Sequence, residues 1–307
     1  MSINPIKATE AIGKSYKSYL STTLGFQDKE LQVQFIKKLD QPEKLIRGPI
    51  LEATPSFKKA ATMSELIDEG VLSPRLRNLK CEGLPLERPL YEHQEKAIRK
   101  LVQHNRNIIV ATGTGSGKTE AFIVPILNYL LKEEEKGTLC PGVRALLLYP
   151  MNALANDQLA RLRRYLENHS SITFGRYTGE TKETNRQAIE IYREIHDGQE
   201  PLKNELISRE QMRETPPHIL ITNYAMLEYL LMRPKDSELF DGEYAKYWRF
   251  IVMDEVHTYS GAKGIETAML IRRLKDRVVR SKPGKLKCIG TSATLGKGRE
   301  DFNKIIE

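Results

Sequence analysis

The chain has 307 residues, of which 40% are apolar and 29% are charged, and its formal net charge is +8 at pH 7. This size and apolar content are enough for one large α/β domain with a packed core, which excludes wholesale disorder, while the positive charge favours a polyanionic partner. Three widely spaced cysteines exclude a zinc cluster, and no apolar stretch has the pattern of a membrane span or signal peptide, so we expect a cytoplasmic protein without membrane contact.

Residues 1–85 precede any chemical motif. Helical spacing of apolar side chains predicts an amphipathic helix over Ala8–Leu20. Turns are expected near Pro42 and Pro55, and a short helix is expected over Met63–Glu69. We interpret this part as a mainly helical N-terminal accessory region, with docking of a partner protein as a possible role.

From residue 86 to residue 307, short apolar runs alternate with helical stretches. The predicted strands are Asn107–Ala111, Arg144–Tyr149, Ile172–Tyr177, His218–Thr222, Phe250–Met253 and Leu286–Gly290. The predicted helices between them are Glu120–Glu134, Ala153–Asn168 and Gly264–Val279. Several runs are apolar throughout, as in central strands that are covered on both faces. The alternation predicts an α/β domain with a doubly wound parallel sheet.

One stretch, Thr181–Pro217, interrupts this alternation because it is charged and has poor hydrophobic periodicity. We predict one or two surface helices and a loop there. The simplest interpretation is a solvated insertion.

A glycine-rich loop, Thr112–Thr119, joins a predicted strand to a predicted helix. Backbone N–H groups of such a loop, and the positive end of the helix, point at phosphates. Lys118 supplies charge for the β- and γ-phosphates, and the Thr119 hydroxyl is a ligand for Mg²⁺. The common pattern has a small residue where this chain has Thr112, but the rest is intact. The predicted ligands are ATP and Mg²⁺, and the predicted loop contacts are Thr114, Gly115, Ser116, Gly117, Lys118 and Thr119.

Two adjacent acids, Asp254 and Glu255, follow the apolar strand Phe250–Met253 at its carboxyl end, where parallel sheets expose ligands. Asp254 can hold Mg²⁺ through water. Glu255 can orient and deprotonate the attacking water, since phosphoryl transfer depends on positioning. His257 lies two residues beyond Glu255, and this spacing places it outside the carboxylate pair.

The order of these motifs, with Ser292-Ala-Thr294 after the last predicted strand, resembles that of superfamily 2 DExH-box helicases over about two thirds of the chain. The resemblance implies a RecA-like fold for residues 86–307, as the first of two helicase lobes. It also implies that His257, Ser292 and Thr294 couple the nucleotide to the bound strand. His257 therefore joins Lys118, Asp254 and Glu255 as a predicted catalytic residue.

Further stretches carry the same resemblance. Tyr91-Glu-His-Gln94 looks like the Q motif, which implies that Gln94 reads the adenine edge. The stretches Tyr149–Gln158, Tyr177–Glu180 and Thr222–Leu227 resemble motifs that hold the nucleic-acid backbone. The contacts implied are Pro150, Asn152, Thr178, Gly179, Thr222 and Asn223. Each alone fits an ordinary turn, but all follow core strands on the edge of the phosphate loop, which favours contacts to the sugar-phosphate backbone.

The amino-acid sequences of Thr215–Leu231 and Asp254–Ala262 are similar to those of large bacterial helicases of the MrfA-like type, which serve in DNA repair or phage defence. DNA is therefore favoured over RNA as the partner. An RNA helicase and a nucleotide-gated assembly subunit of a defence complex stay open as alternatives. The sequence contains no second strand–helix array, so we expect the missing second RecA-like lobe to come from elsewhere and ATP turnover by this chain alone to be slow.

Overall fold

The computed structural model describes residues 4–41, 45, 56–79, 81, 83–113, 115–241 and 243–293, and it divides the chain into two units after Ser56. The first unit contains helices α1 (Pro5–Thr23) and α2 (Lys29–Leu39). Asp28 caps α2 by accepting hydrogen bonds from two backbone N–H groups of its first turn. The predicted helix Ala8–Leu20 lies inside α1, whereas α2 was not predicted. The turns expected near Pro42 and Pro55 lie outside the described residues.

The second unit contains nine strands and eight helices among the described residues. The strands are β1 (Lys59–Thr62), β2 (Pro89–Tyr91), β3 (Ile108–Ala111), β4 (Ala145–Tyr149), β5 (Phe174–Arg176), β6 (Glu205–Leu206), β7 (Ile219–Asn223), β8 (Phe250–Met253) and β9 (Lys287–Ser292). The helices are α3 (Met63–Asp68), α4 (Glu92–Val102), α5 (Lys118–Glu135), α6 (Asn152–Leu166), α7 (Asn185–Ile195), α8 (Arg209–Glu214), α9 (Tyr224–Met232) and α10 (Gly261–Val279). Short 3-10 helices lie at Pro74–Leu79, Pro234–Leu239, Ala245–Tyr247 and Val256–Thr258.

Seven of the strands form one sheet in the order β3-β9-β8-β4-β7-β5-β6, and each neighbouring pair is parallel. Strands β1 and β2 form a separate antiparallel pair. Because the strands of the large sheet run the same way, their carboxyl ends lie along one edge. The loops after β3, β9 and β8 occupy one half of that edge, and those after β4, β7 and β5 occupy the other.

Strand β4 shows how the two faces of the sheet are covered. Its side chains alternate between two hydrophobic clusters: Leu147 packs in one with Phe122 of α5, and Leu146 packs in the other with Leu227 of α9 and Leu274 of α10. A continuous apolar strand is thus buried on both sides. The predicted doubly wound parallel sheet with a RecA-like fold is confirmed.

Residues 57–79 belong structurally to the second unit, although the sequence grouped them with the N-terminal region. Leu66 and Ile67 of α3 are buried in the same cluster as Phe122, so this segment is part of the sheet domain's core. One or two helices were expected between Thr181 and Pro217, and two are present as α7 and α8, but the two-residue strand β6 was not predicted. None of the described helices has the length and apolarity to cross a membrane.

Candidate nucleotide-binding site and nucleic-acid edge

The predicted phosphate loop connects β3 to α5. Gly117 caps the helix with a backbone φ of +71°, and Gly115 has a φ of +75°. Both values lie in the left-handed region that glycine adopts without steric cost, so the glycines permit the tight turn into α5. Thr114, a predicted contact, lies outside the described residues.

Lys118 lies across this loop. Its Nζ donates to the carbonyl oxygens of Thr112 at 3.0 Å and Gly113 at 3.2 Å. The Thr112 hydroxyl contacts the Ser116 hydroxyl at 2.6 Å, and the Thr112 N–H donates to the Ser292 carbonyl of β9 at 3.2 Å. The threonine at position 112 therefore stabilises the loop internally, which accounts for a residue larger than the usual one there.

Gln94 and His93, at the start of α4, contact the far side of the loop. The buried Gln94 side chain accepts from the Tyr91 N–H at 2.7 Å and donates to the Gly117 carbonyl at 2.8 Å. His93 Nε2 lies 2.9 Å from the Ser116 carbonyl, to which it donates. Burial lowers the pKa of His93. Gln94 is thus anchored against the loop, and its contact with adenine stays a prediction.

The acidic pair lies in the same half of the edge, after β8. The Thr291 hydroxyl of β9 donates to Asp254 Oδ1, and the Ala293 N–H donates to Glu255 Oε2 at 3.1 Å. Burial raises the pKa of Asp254, and the charge of Glu255 raises it further. Glu255 has a φ of +50°, an unfavourable conformation for a side chain other than glycine. Strained backbone of this kind is typical of functional sites.

His257 lies beside the carboxylate pair, contrary to the expectation from its spacing. Its Nδ1 is 3.3 Å from Glu255 Oε2 and 3.0 Å from the Ser292 hydroxyl. The spacing argument was wrong because the 3-10 turn Val256–Thr258 folds the chain back on itself. Ser292 is buried at the end of β9, and Thr294 lies outside the described residues.

Two contacts in this half were not predicted. Arg161 of α6 donates to the Thr119 hydroxyl at 3.0 Å, and Thr291 holds Asp254 as described above. The hydroxyls of Tyr149 and Tyr259 are buried and have no hydrogen-bond partner among the described residues. The charge of Asp254 raises the pKa of both phenols, after the larger effect of burial. The sequence offers no signal for Arg161, which lies in α6 beyond the motif-like stretch Tyr149–Gln158.

The predicted nucleic-acid contacts lie in the other half of the edge, after β4, β5 and β7. Asn223 donates to Asn152 Oδ1 at 2.8 Å, and Asn152 donates to Glu180 Oε1 at 2.9 Å. Arg176 donates to Glu180 Oε2 at 2.7 Å. These side chains join three separate loops into one hydrogen-bonded network, as their shared location suggested.

The remaining predicted contacts differ in exposure. Gly179 is exposed and Pro150 is half-buried, whereas Thr178 and Thr222 are fully buried. The Thr222 hydroxyl donates to the Tyr177 carbonyl at 2.7 Å. In this structure the two threonines therefore support the surface rather than form it, and Gly179 is the exposed residue of these four.

Residues 91–302 match the model of the DEAD/DEAH box helicase family. The chain belongs to this family. It is 32% identical to the Druantia protein DruE of Escherichia coli, in an alignment that covers 96% of the chain and 21% of DruE. It is 31% identical to the ATP-dependent helicase YprA of Bacillus subtilis, over 81% of the chain and 28% of that protein. The chain thus spans less than a third of either relative.

Solved helicase structures share the fold of this helicase-family chain. The structure of the DUF1998 helicase MrfA bound to DNA and AMPPNP superposes with a TM-score of 0.60 and 28% identity, over 89% of the chain and 32% of MrfA. The DEAD-box helicase Mss116 bound to single-stranded RNA gives a TM-score of 0.56 over 81% of the chain and 44% of Mss116, and at 19% identity it supports the fold alone. The predicted family and its enzyme class, ATP-dependent helicases, are therefore confirmed.

Proposed function

We propose that this chain is the ATP-binding lobe of a DNA helicase or translocase that acts in repair or phage defence. The observation that carries the proposal is the order of the sheet. The nucleotide motifs follow β3, β9 and β8, the candidate backbone contacts follow β4, β7 and β5, and the two groups meet where β8 pairs with β4. The nucleotide and the nucleic-acid strand would then bind to the same edge of one sheet. A structural change at the nucleotide site would therefore alter the site of the strand.

In this proposal the phosphate loop binds ATP. The N–H groups at the start of α5 and the ammonium of Lys118 contact the phosphates. Lys118 already lies over the loop through its contacts with the Thr112 and Gly113 carbonyls. Gln94, anchored on Gly117, contacts the adenine edge.

The oxygen donors at this site suit Mg²⁺. Thr119 offers a hydroxyl and Asp254 a buried carboxylate, and Mg²⁺ in such sites takes one or two protein oxygens, phosphate oxygens and waters. The buried hydroxyls of Tyr149 and Tyr259 can serve as partners for such waters. When bound, Mg²⁺ would neutralise charge on the β- and γ-phosphates.

Glu255 orients and deprotonates the attacking water. Its carboxylate is fixed by the Ala293 N–H at 3.1 Å, and its backbone is held in the strained left-handed region. His257 lies between Glu255 and Ser292, so it links the water-activating group to the end of β9. This link supports a role for His257 and Ser292 in coupling hydrolysis to the bound strand.

DNA binds along the other half of the edge, through its sugar-phosphate backbone. The surface there offers the backbone at Gly179 and the amides of Asn152 and Asn223, groups that contact phosphates without reading bases. The likeness to MrfA, whose structure contains DNA, favours DNA over RNA.

The test is phosphate release by the chain with Mg²⁺ and ATP, alone and with single-stranded DNA, duplex DNA or single-stranded RNA. We expect slow release that DNA accelerates more than RNA does. Glu255→Gln should abolish release but retain binding of AMPPNP. Release that survives Glu255→Gln would refute the mechanism, and stimulation by RNA alone would refute the choice of DNA.

A further inference from the structure

We propose that the charged insertion Thr181–Pro217 is a positioning element of the nucleic-acid edge, in which Arg209 holds the exposed turn at Gly179 in the conformation that binds a phosphate. The inference rests on the proposed function, because it concerns the same edge. It reverses the interpretation of the insertion as a merely solvated loop.

Arg209 of α8 contacts the turn that follows β5. Its Nη2 donates to the Thr178 carbonyl at 3.2 Å and to the Gly179 carbonyl at 3.4 Å. Its guanidinium carbon lies 5.4 Å from the centre of the Tyr177 ring. Three consecutive residues of the predicted motif therefore contact one side chain from the insertion.

The direction of these two hydrogen bonds decides what the turn offers to a ligand. In a trans peptide the C=O and the N–H of the same unit point in opposite directions. Carbonyls that face Arg209 leave the N–H groups of Gly179 and Glu180 facing away from the insertion. Neither N–H has a hydrogen-bond partner among the described residues. Successive unpaired N–H groups form a binding place for a phosphate.

The rest of the turn is fixed from within. The Thr178 N–H donates to the Thr181 hydroxyl at 2.9 Å, and that hydroxyl donates to the Arg176 carbonyl at 2.8 Å. The Glu180 carboxylate, which would repel a phosphate, is paired with Arg176 at 2.7 Å. Both features favour an anion at the turn.

Arg209 is itself held by its helix. The Arg209 N–H donates to the Lys182 carbonyl at 2.9 Å, and Ser208 caps α8. One turn further along α8, Arg213 Nε donates to Asp236 Oδ1 at 2.8 Å, and Asp236 is fully buried. The Tyr177 hydroxyl donates to the same oxygen at 2.6 Å. A buried ionic cluster thus fastens α8 to the strand that carries the turn.

Arg209→Ala removes the contacts with the turn without exposing the buried ionic cluster around Asp236. Asp236 keeps both Arg213 and Tyr177, so no buried carboxylate loses its partner and we expect the variant to fold. The matched control is Arg186→Ala on α7. The Arg186 side chain is 90% exposed, and within the part of the chain that the structure describes it pairs only with Glu190, so this control removes the same charge from the same insertion without touching the turn.

The experiment measures the dissociation constant of the chain for single-stranded DNA over a range of salt concentrations. Loss of one well-aligned phosphate contact corresponds to about tenfold weaker binding, so Arg209→Ala should bind about tenfold more weakly while Arg186→Ala stays within about twofold. The slope of log K against log salt should not change, because Arg209 faces carbonyls. A residue that neutralises a phosphate would reduce that slope by about 0.7.

Two results of the binding experiment would overturn the inference. A reduced slope would make Arg209 a direct phosphate contact, and unchanged affinity would give it no part in binding. Hydrogen exchange tests the hold of Arg209 on the turn independently: the hydrogen-bonded amides of Thr178 and Thr181 should exchange faster in Arg209→Ala, with the central strands still protected. Unchanged exchange of the amides of the turn would show that Arg209 does not hold it. If the unaltered chain binds no DNA, the proposed function fails, whereas the exchange result still decides whether Arg209 holds the turn.

Discussion

Gly117 and Gly115 provide a matched pair for testing how the phosphate loop is packed. Both have a positive φ, +71° and +75°, so alanine at either position carries the strain of the left-handed region, about 1 kcal/mol. They differ in surroundings. A Cβ at Gly117 would lie 2.3 Å from Gln94 Nε2 and 2.9 Å from Glu120 Oε2, whereas a Cβ at Gly115 would meet nothing within 4 Å.

Gly117→Ala must therefore displace Gln94 as well as strain the backbone. Gln94 is buried and makes hydrogen bonds of 2.7 Å and 2.8 Å, each with a net value of about 1 kcal/mol. We expect the free energy of unfolding to fall by about 1 kcal/mol in Gly115→Ala and by about 3 kcal/mol in Gly117→Ala. Urea unfolding without nucleotide measures both.

A double-mutant cycle with Gln94→Ala identifies the source of the difference. Once the Gln94 side chain is removed, Gly117→Ala should cost only about 1 kcal/mol more, because the Glu120 contact is with the end of a flexible side chain. Equal costs for the two glycines, or strict additivity of Gly117→Ala and Gln94→Ala, would refute the packing of Gln94 against the loop.

Two further predictions concern stability. Tyr177→Phe removes the hydroxyl that donates to the buried Asp236, so calorimetry should show that the free energy of unfolding falls by about 1.5–3 kcal/mol. Tyr229→Phe, at an exposed ring, is the control and should leave it unchanged. Equal effects of the two substitutions would contradict the buried cluster. Burial lowers the pKa of His218 to about 4 from 6.5, so the unfolded chain takes up this proton first as pH falls. The contribution of neutral His218 to the free energy of unfolding is fully present above pH 6.5. About 3 kcal/mol of it is lost as the pH falls to 4. Urea unfolding from pH 7.5 to 4 should show the fall, and His218→Gln should flatten it; an equal slope in that variant would argue against the assignment.

Much of the nucleotide half could be predicted because its signals are local. Lys118, Thr119, Asp254 and Glu255 follow strands whose apolar runs are visible in the sequence, and a parallel sheet brings the ends of such strands to one edge. The order of the strands, and so the division of that edge into two halves, required the structure.

Contacts between residues distant in sequence could not be predicted. Arg161 reaches Thr119 from the middle of α6, and Arg209 reaches Gly179 across the insertion, and neither belongs to a motif or a periodic pattern. The position of His257 depends on a single 3-10 turn, which spacing alone does not reveal. Thr178 is fully buried, and its carbonyl accepts a hydrogen bond from Arg209 of the insertion, whose charged sequence suggested a solvated loop instead.

The central claim is that the phosphate loop and the carboxylate pair form one site for ATP and Mg²⁺. Titration calorimetry of the chain with AMPPNP and Mg²⁺ tests it directly. The account predicts one nucleotide bound per chain, at least about tenfold weaker binding in Lys118→Ala, and retained binding in Glu255→Gln, since Lys118 contacts phosphates and Glu255 acts on water. Equal affinity with and without the Lys118 ammonium, or no binding by the unaltered chain, would contradict it.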